Sequence, residues 1–155
     1  MIPTAESPKR HSEPILGGGR RVLVVDDEEG VRTLVREALE LWEFQVQEAS
    51  SGEAALSLLA SLPFDLVVTD LRMPGLDGPG LYEQAGALCA TVPPFVFVTG
   101  DAASQEMRRF LDGVRSPVLV KPFTLMSLRE AIESALLAQQ LKSTLVEASS
   151  AQSVP

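Results

Sequence analysis

The chain has one cysteine, Cys89, and one histidine, His11, among its 155 residues. A lone thiol forms no internal disulfide, and one thiol plus one imidazole is too small a set for a zinc site. This pattern suits a reducing cytoplasm, the compartment expected here. His11 lies in a polar, proline-bearing stretch, so neither a phosphohistidine helix nor a Ser-His-Asp triad is supplied. Basic residues are also few: 13 Lys and Arg against 21 Asp and Glu, for a formal net charge of -8. A nucleic-acid surface needs clustered cations, so no nucleic-acid partner is expected. No apolar run approaches the roughly 20 residues that cross a bilayer, and Met1 to Gly19 lacks the apolar stretch of a secretory signal. No membrane partner is expected either.

The length suits one compact domain with loose ends. Residues 1–19 combine Pro3, Pro8, Pro14 and Gly17-Gly18-Gly19 with polar residues, and read as a flexible N-terminal arm. Residues 143–155, with Ser143, Ser149, Ser150, Ser153 and Pro155, read as a flexible C-terminal tail. The folded unit is expected over residues 20–142.

Within it recur the short apolar runs Val22–Val25, Leu66–Val68, Phe95–Val98 and Val118–Val120. Continuous β-branched and aromatic runs of this length fit strands buried on both faces of a parallel sheet. The run Phe44–Gln47 alternates instead and is expected at a sheet edge, with Trp42 and Phe44 packing between it and the preceding helix. That first helix should bury Val31, Leu34, Val35, Ala38 and Leu41, and the last one Leu125, Leu128, Ile132, Ala135 and Leu136. Ser50 with Glu53 has the form of a capping box opening the second helix, and Thr124 that of an N-cap for the last. The third helix is expected over about Gly80 to Ala90 and the fourth over about Ala102 to Leu111. Cys89 reads as a small packing residue.

Strand and helix alternating five times call for an α/β fold, a doubly wound five-stranded parallel sheet with helices on both faces. The flavodoxin-like order 2-1-3-4-5 puts the alternating second strand at an edge. Asp26 and Asp27 then follow the first strand, Asp70 the third, Thr99 ends the fourth and Lys121 the fifth. Parallel strands deliver all of these to one edge of the sheet, and strands one and three are neighbours. Three converging carboxylates repel one another unless a cation joins them. With oxygen ligands only, the expected cofactor is Mg²⁺. Lys121 and Thr99 could neutralise the charge of a phosphoryl group transferred to the Asp70 carboxylate, giving an aspartyl phosphate.

Val24-Val25-Asp26-Asp27-Glu28, the stretch Asp70 to Gly78, Thr99-Gly100 and Lys121-Pro122-Phe123 together resemble the response-regulator receiver domains of bacterial two-component systems. The resemblance covers about Arg21 to Leu137. It implies that Asp70 is the phosphoacceptor, with Thr99 and Lys121 on the phosphoryl oxygens. It also implies metal ligation by Asp27, Asp70 and the backbone carbonyl of Arg72, with Asp26 acting partly through water. The Lys121-Pro122 bond should be cis, a geometry that proline tolerates. The phosphoryl donor would be a histidine kinase or phosphotransfer domain, the output would pass through contact with a downstream protein, and homodimers are common in the family. A stand-alone regulator and the receiver portion of a hybrid histidine kinase both fit.

The family often carries Tyr or Phe three residues before the lysine; Val118 stands there, so an aromatic readout of activation is not expected. In that family the residues two after the phosphoacceptor and two after the threonine flank the route of hydrolytic water; here these are Arg72 and Asp101, which the resemblance implies pair across the site mouth. Arg72 also counts against a haloacid dehalogenase-type phosphatase, which needs a second aspartate there. The expected chemistry is therefore a switch that catalyses only its own phosphorylation and dephosphorylation. A nucleotide-binding module is disfavoured, because Asp26-Asp27 stands where a glycine-rich turn would be. A docking module that is never phosphorylated remains the third alternative.

Overall fold

The computed structural model describes residues 16–100 and 104–152. Five strands alternate with five helices: β1 (Arg21–Val25), α1 (Glu29–Leu41), β2 (Gln45–Ala49), α2 (Gly52–Ser61), β3 (Leu66–Asp70), α3 (Gly78–Leu88), β4 (Phe95–Thr99), α4 (Gln105–Val114), β5 (Val118–Val120) and α5 (Leu125–Gln152). All strand pairs are parallel, and the order is β2-β1-β3-β4-β5. The expected topology is the observed one.

Side chains alternate across each strand, so every central strand feeds two cores. Val22, Val24, Val68, Val96 and Val98 pack with Val35 and Leu39 of α1 and Leu128 and Ile132 of α5. Leu23, Val25, Val67, Phe95 and Phe97 pack on the opposite face with Ala55 and Leu59 of α2 and Leu81 and Ala85 of α3. Met107, Phe110 and Leu111 of α4 close that second core. Each fully buried side chain of this size contributes about 1.5–3 kcal/mol before entropy is counted. Phe44 is buried in the α1/α5 core, Trp42 packs against it, and the Arg129 guanidinium sits 5.6 Å from the Trp42 ring centre. Cys89 caps the C-terminus of α3 and packs against the other core.

Several local expectations are corrected. The run Val118–Val120 is a second edge strand, so only Leu119 is buried, while Val118 and Val120 are exposed. The α1 stripe is rotated: Val35, Ala38 and Leu39 are buried, and Leu34 and Leu41 face solvent. Leu125, at the start of α5, is likewise exposed. The α2 cap is Ser51, whose hydroxyl accepts from the Ala54 N–H at 3.1 Å, not Ser50. Glu53 instead reaches the loop after β3, accepting from the Leu76 N–H at 2.9 Å. α3 starts two residues earlier than expected, because Asp77 accepts from the Gly80 N–H and Pro79 occupies the first turn. α4 starts three residues later, at the Ser104 cap. Thr124 caps α5 as expected, accepting from the Ser127 N–H at 3.0 Å.

Both ends also differ. Gly17 is buried and donates to the Trp42 carbonyl at 2.8 Å, and Gly19 donates to that of Glu43. A Cβ on Gly17 would overlap the Glu43 peptide, so this part of the glycine run is a packing surface and not loose arm. At the other end α5 continues through residues 143–152, where a tail without structure was expected. No Gly or Pro interrupts the chain from Leu125 to Val154, and Leu, Gln, Lys, Glu and Ala favour helix.

Candidate functional site

The C-terminal ends of β1, β3, β4 and β5 meet at one edge of the sheet. Asp26 follows β1 and is 3% exposed; Asp70 is the last residue of β3 and is 6% exposed. β1 and β3 pair directly, with Val25 opposite Thr69, so the two acids emerge side by side. Asp27 is next in the chain and exposed. One carboxylate oxygen from each of Asp26, Asp27 and Asp70 lies within 4.8 Å of the other two.

Lys121 reaches this cluster from the end of β5. Its Nζ lies 3.1 Å from Asp70 Oδ2, 3.2 Å from Asp26 Oδ2 and 2.9 Å from Glu28 Oε1. The Lys121 N–H donates to the Thr99 carbonyl at 2.7 Å, which ties the ends of β4 and β5 together. Thr99 is buried at the end of β4, beside β3 and β5. The Lys121-Pro122 bond is cis, as the resemblance implies. The Arg72 N–H donates to Asp70 Oδ1 at 3.3 Å, and its carbonyl belongs to the loop between β3 and α3. That loop is clamped by the Glu53–Leu76 hydrogen bond. Asp101 lies outside the described residues, and so does the Arg72–Asp101 pair. Val118, on the exposed edge strand, offers no aromatic ring to the site.

The electrostatics follow from burial and crowding. Burial pushes the Asp26 carboxyl above the usual carboxylate range; the Glu28 N–H works against this, the Asp70 charge with it, and Lys121 against it. Burial would lower the Lys121 ammonium, but hydrogen bonds to Glu28 and Asp70 and the charges of Asp26 and Asp70 outweigh it. Lys121 is therefore held above the ordinary lysine range and stays charged at neutral pH.

The carboxylates of Asp26, Asp27, Asp70 and Glu28, four around one ammonium, leave the pocket net negative. The donor set is oxygen only, and two of its members are taken out of water. Such a set fits a hard divalent cation, and Mg²⁺ in particular, which binds through one or two carboxylates and retains waters.

Three interactions here were not read from the sequence. Glu28 belongs to the motif after β1, but nothing local says that its carboxylate meets a lysine 93 residues away. Arg32 turns back from α1 to the Asp26 carbonyl at 2.8 Å, a contact set by helix entry and not by apolar periodicity. Glu53 had a plausible local partner in Ser50 and takes a distant one.

Comparison with known proteins agrees with this geometry. The family described as the response regulator receiver domain matches residues 22–133. The sensor histidine kinase RcsC of Salmonella typhi is 33% identical over 123 residues, which are 79% of this chain and 13% of that protein. The chain thus spans about one eighth of the length of such kinases. The chemotaxis protein CheY-3 of Vibrio cholerae is 32% identical over 123 residues, covering 78% of this chain and 95% of that protein. A CheY-like response regulator receiver domain protein from Methanospirillum hungatei superimposes with a TM-score of 0.73 at 26% identity, covering 80% of this chain and 98% of that one.

Proposed function

Because this chain belongs to the response-regulator receiver family, we propose that it switches by taking a phosphoryl group onto Asp70 from a histidine kinase or phosphotransfer domain, with Mg²⁺ as cofactor. The observation that carries this reading is the Asp70 carboxylate, buried at the end of β3, with Lys121 Nζ at 3.1 Å and two further acids within 4.8 Å. Receivers with this fold occur both as stand-alone proteins and as parts of hybrid kinases, as the two relatives illustrate. Among the described residues no helix is long and apolar enough to cross a membrane.

Asp26, Asp27, Asp70 and the backbone carbonyl of Arg72 would hold the cation. When bound, Mg²⁺ offsets the carboxylate charge and draws negative charge off the phosphoryl oxygens. An oxygen of Asp70 attacks phosphorus in line with the donor bond; the new O–P bond forms as the bond to the donor nitrogen or oxygen breaks, and the electron pair leaves with the donor. The barrier in such transfers is lowered mainly by positioning and charge stabilisation. Lys121 supplies a fixed positive charge at the acceptor. Thr99, at the adjoining strand end, supplies a hydroxyl for a phosphoryl oxygen. The chain promotes its own phosphorylation and the hydrolysis that ends it, and turns over no other substrate. The two states differ in the placement of Thr99 and Lys121, which would alter the surface of α4, β5 and α5 offered to a downstream protein or to a second copy.

Incubation with acetyl phosphate and Mg²⁺, followed by intact-protein mass measurement, tests the reading. The parent should gain one phosphoryl group, labile to hydroxylamine, and Asp70→Asn should gain none. A parent that stays unmodified while binding a partner kinase would be a docking module instead.

A further inference from the structure

Asp26 is held from three directions, and one hold falls on the peptide that joins it to Asp27. The Asp26 N–H donates to the Ala49 carbonyl at 3.2 Å, and the Glu28 N–H donates to Asp26 Oδ1 at 2.9 Å. The third hold is a side chain: Arg32 Nη1 donates to the Asp26 carbonyl oxygen at 2.8 Å. The same guanidinium places Nε 3.3 Å from Glu48 Oε1 on the edge strand β2. Glu48 is shared, since Arg36 Nε lies 3.0 Å from its other oxygen. The Arg32 side chain is only 16% exposed. Asp27, the next residue, lies beyond the end of β1 and is exposed, so no strand hydrogen bond orients it. The peptide plane before it sets the point from which its side chain starts.

We propose that Arg32 is a positioning residue for the cation site: braced by Glu48, it fixes the Asp26–Asp27 peptide and so sets the spacing of the carboxylates that receive Mg²⁺. This rests on the reading given under Proposed function. A guanidinium can serve a carbonyl and a carboxylate at once with a rigid planar fork, whereas a lysine has one nitrogen to divide between them. Partners of metal ligands typically change metal affinity by 10- to 100-fold when removed. The sign separates positioning from charge. Arg32 is a cation beside the pocket, so if it acted by charge alone its removal would tighten Mg²⁺ binding. Positioning demands the opposite.

Mg²⁺ titration by calorimetry on the full chain, for the parent, Arg32→Gln, Arg32→Lys and Glu48→Gln, decides between them. Thermal melting in chelator runs in parallel. Arg32→Gln should weaken Mg²⁺ binding about tenfold, Arg32→Lys should lie between it and the parent, and Glu48→Gln should weaken it by a few-fold. The Mg²⁺ concentration for half-maximal phosphorylation by acetyl phosphate should rise by the same factors. Unchanged or tighter Mg²⁺ binding in folded Arg32→Gln would overturn the proposal. If that variant does not fold, Arg32→Lys and Glu48→Gln at parental affinity do so equally. A parent that binds no Mg²⁺ would remove the underlying reading first, a result distinct from equal binding by parent and variants.

Discussion

Glu28 and Lys121 meet at 2.9 Å across 93 residues of sequence, and the same Lys121 ammonium also faces Asp70 at 3.1 Å. The Glu28 side chain is 63% exposed and the Lys121 side chain 18%. Glu28 therefore competes, from the rim, for the ammonium that the proposed phosphoryl transfer would use.

Exposed ion pairs contribute about 0.2–1 kcal/mol. Releasing Lys121 by Glu28→Gln should speed phosphorylation by acetyl phosphate about two- to fivefold, with little change in melting temperature. Rate measurement at saturating Mg²⁺ checks this; an equal or slower rate would show that Glu28 does not hold Lys121 back.

Asp26 carries a cost in the absence of metal. Its carboxyl is raised by burial above its ordinary 3.8, so ionising it costs more in the fold than in the unfolded chain. A raised carboxyl adds stability below the ordinary value, and that contribution is lost as pH climbs through the raised one. At neutral pH the ionised group thus weakens the metal-free fold. Asp26→Asn should melt higher than the parent at pH 7 in chelator, lose that advantage near pH 3, and bind Mg²⁺ at least tenfold more weakly. Melting curves across pH, with and without Mg²⁺, separate these effects.

Gly78 is fixed by contact with the acceptor strand. A Cβ there would stand 2.7 Å from the Asp70 carbonyl oxygen and 2.9 Å from the Leu71 Cα, while its N–H donates to the Leu71 carbonyl at 2.9 Å. Gly78→Ala should cost about 1–3 kcal/mol, the usual range for overpacking, and should slow phosphorylation by shifting Asp70. Urea denaturation and acetyl phosphate kinetics report the two together. Normal stability with normal kinetics would mean that the loop yields freely.

The ring of Phe97 stacks on Phe95 and meets Tyr82 and Phe110 edge-on, at centroid distances of 5.2–5.9 Å. Two residues on lies Thr99. Phe97→Ala should cost about 3–5 kcal/mol, measured by denaturant midpoint. A loss below about 1 kcal/mol would show that the cluster is loosely packed.

The α2 cap offers a paired test. Ser51→Ala should lose about 1 kcal/mol, and Ser50→Ala should change stability much less. Equal losses would mean that both serines secure the helix.

That last pair also illustrates what could be read in advance. Sheet order, strand positions and the convergence of Asp26, Asp27, Asp70, Thr99 and Lys121 follow from apolar runs that alternate with helices, because parallel topology dictates where strand ends go. Choices between neighbours were less legible. Ser50 and Ser51 carry the same hydroxyl, and only the backbone path decides which one faces the Ala54 N–H. Leu34 and Leu39 are equally apolar, and the docking angle of α1 determines which is buried. Glu28, Arg32 and Glu53 act across the fold through flexible side chains, a class of contact that periodicity does not encode.

The uninterrupted α5 has a mechanical consequence. At 1.5 Å per residue, its 28 residues reach about 42 Å. Its root begins four residues after Lys121, and its first turns are bolted to the sheet by Leu128 and Ile132. By geometry alone, a tilt of about 10° at that root would carry the far end by roughly 7 Å, so any angular change there is multiplied along the helix.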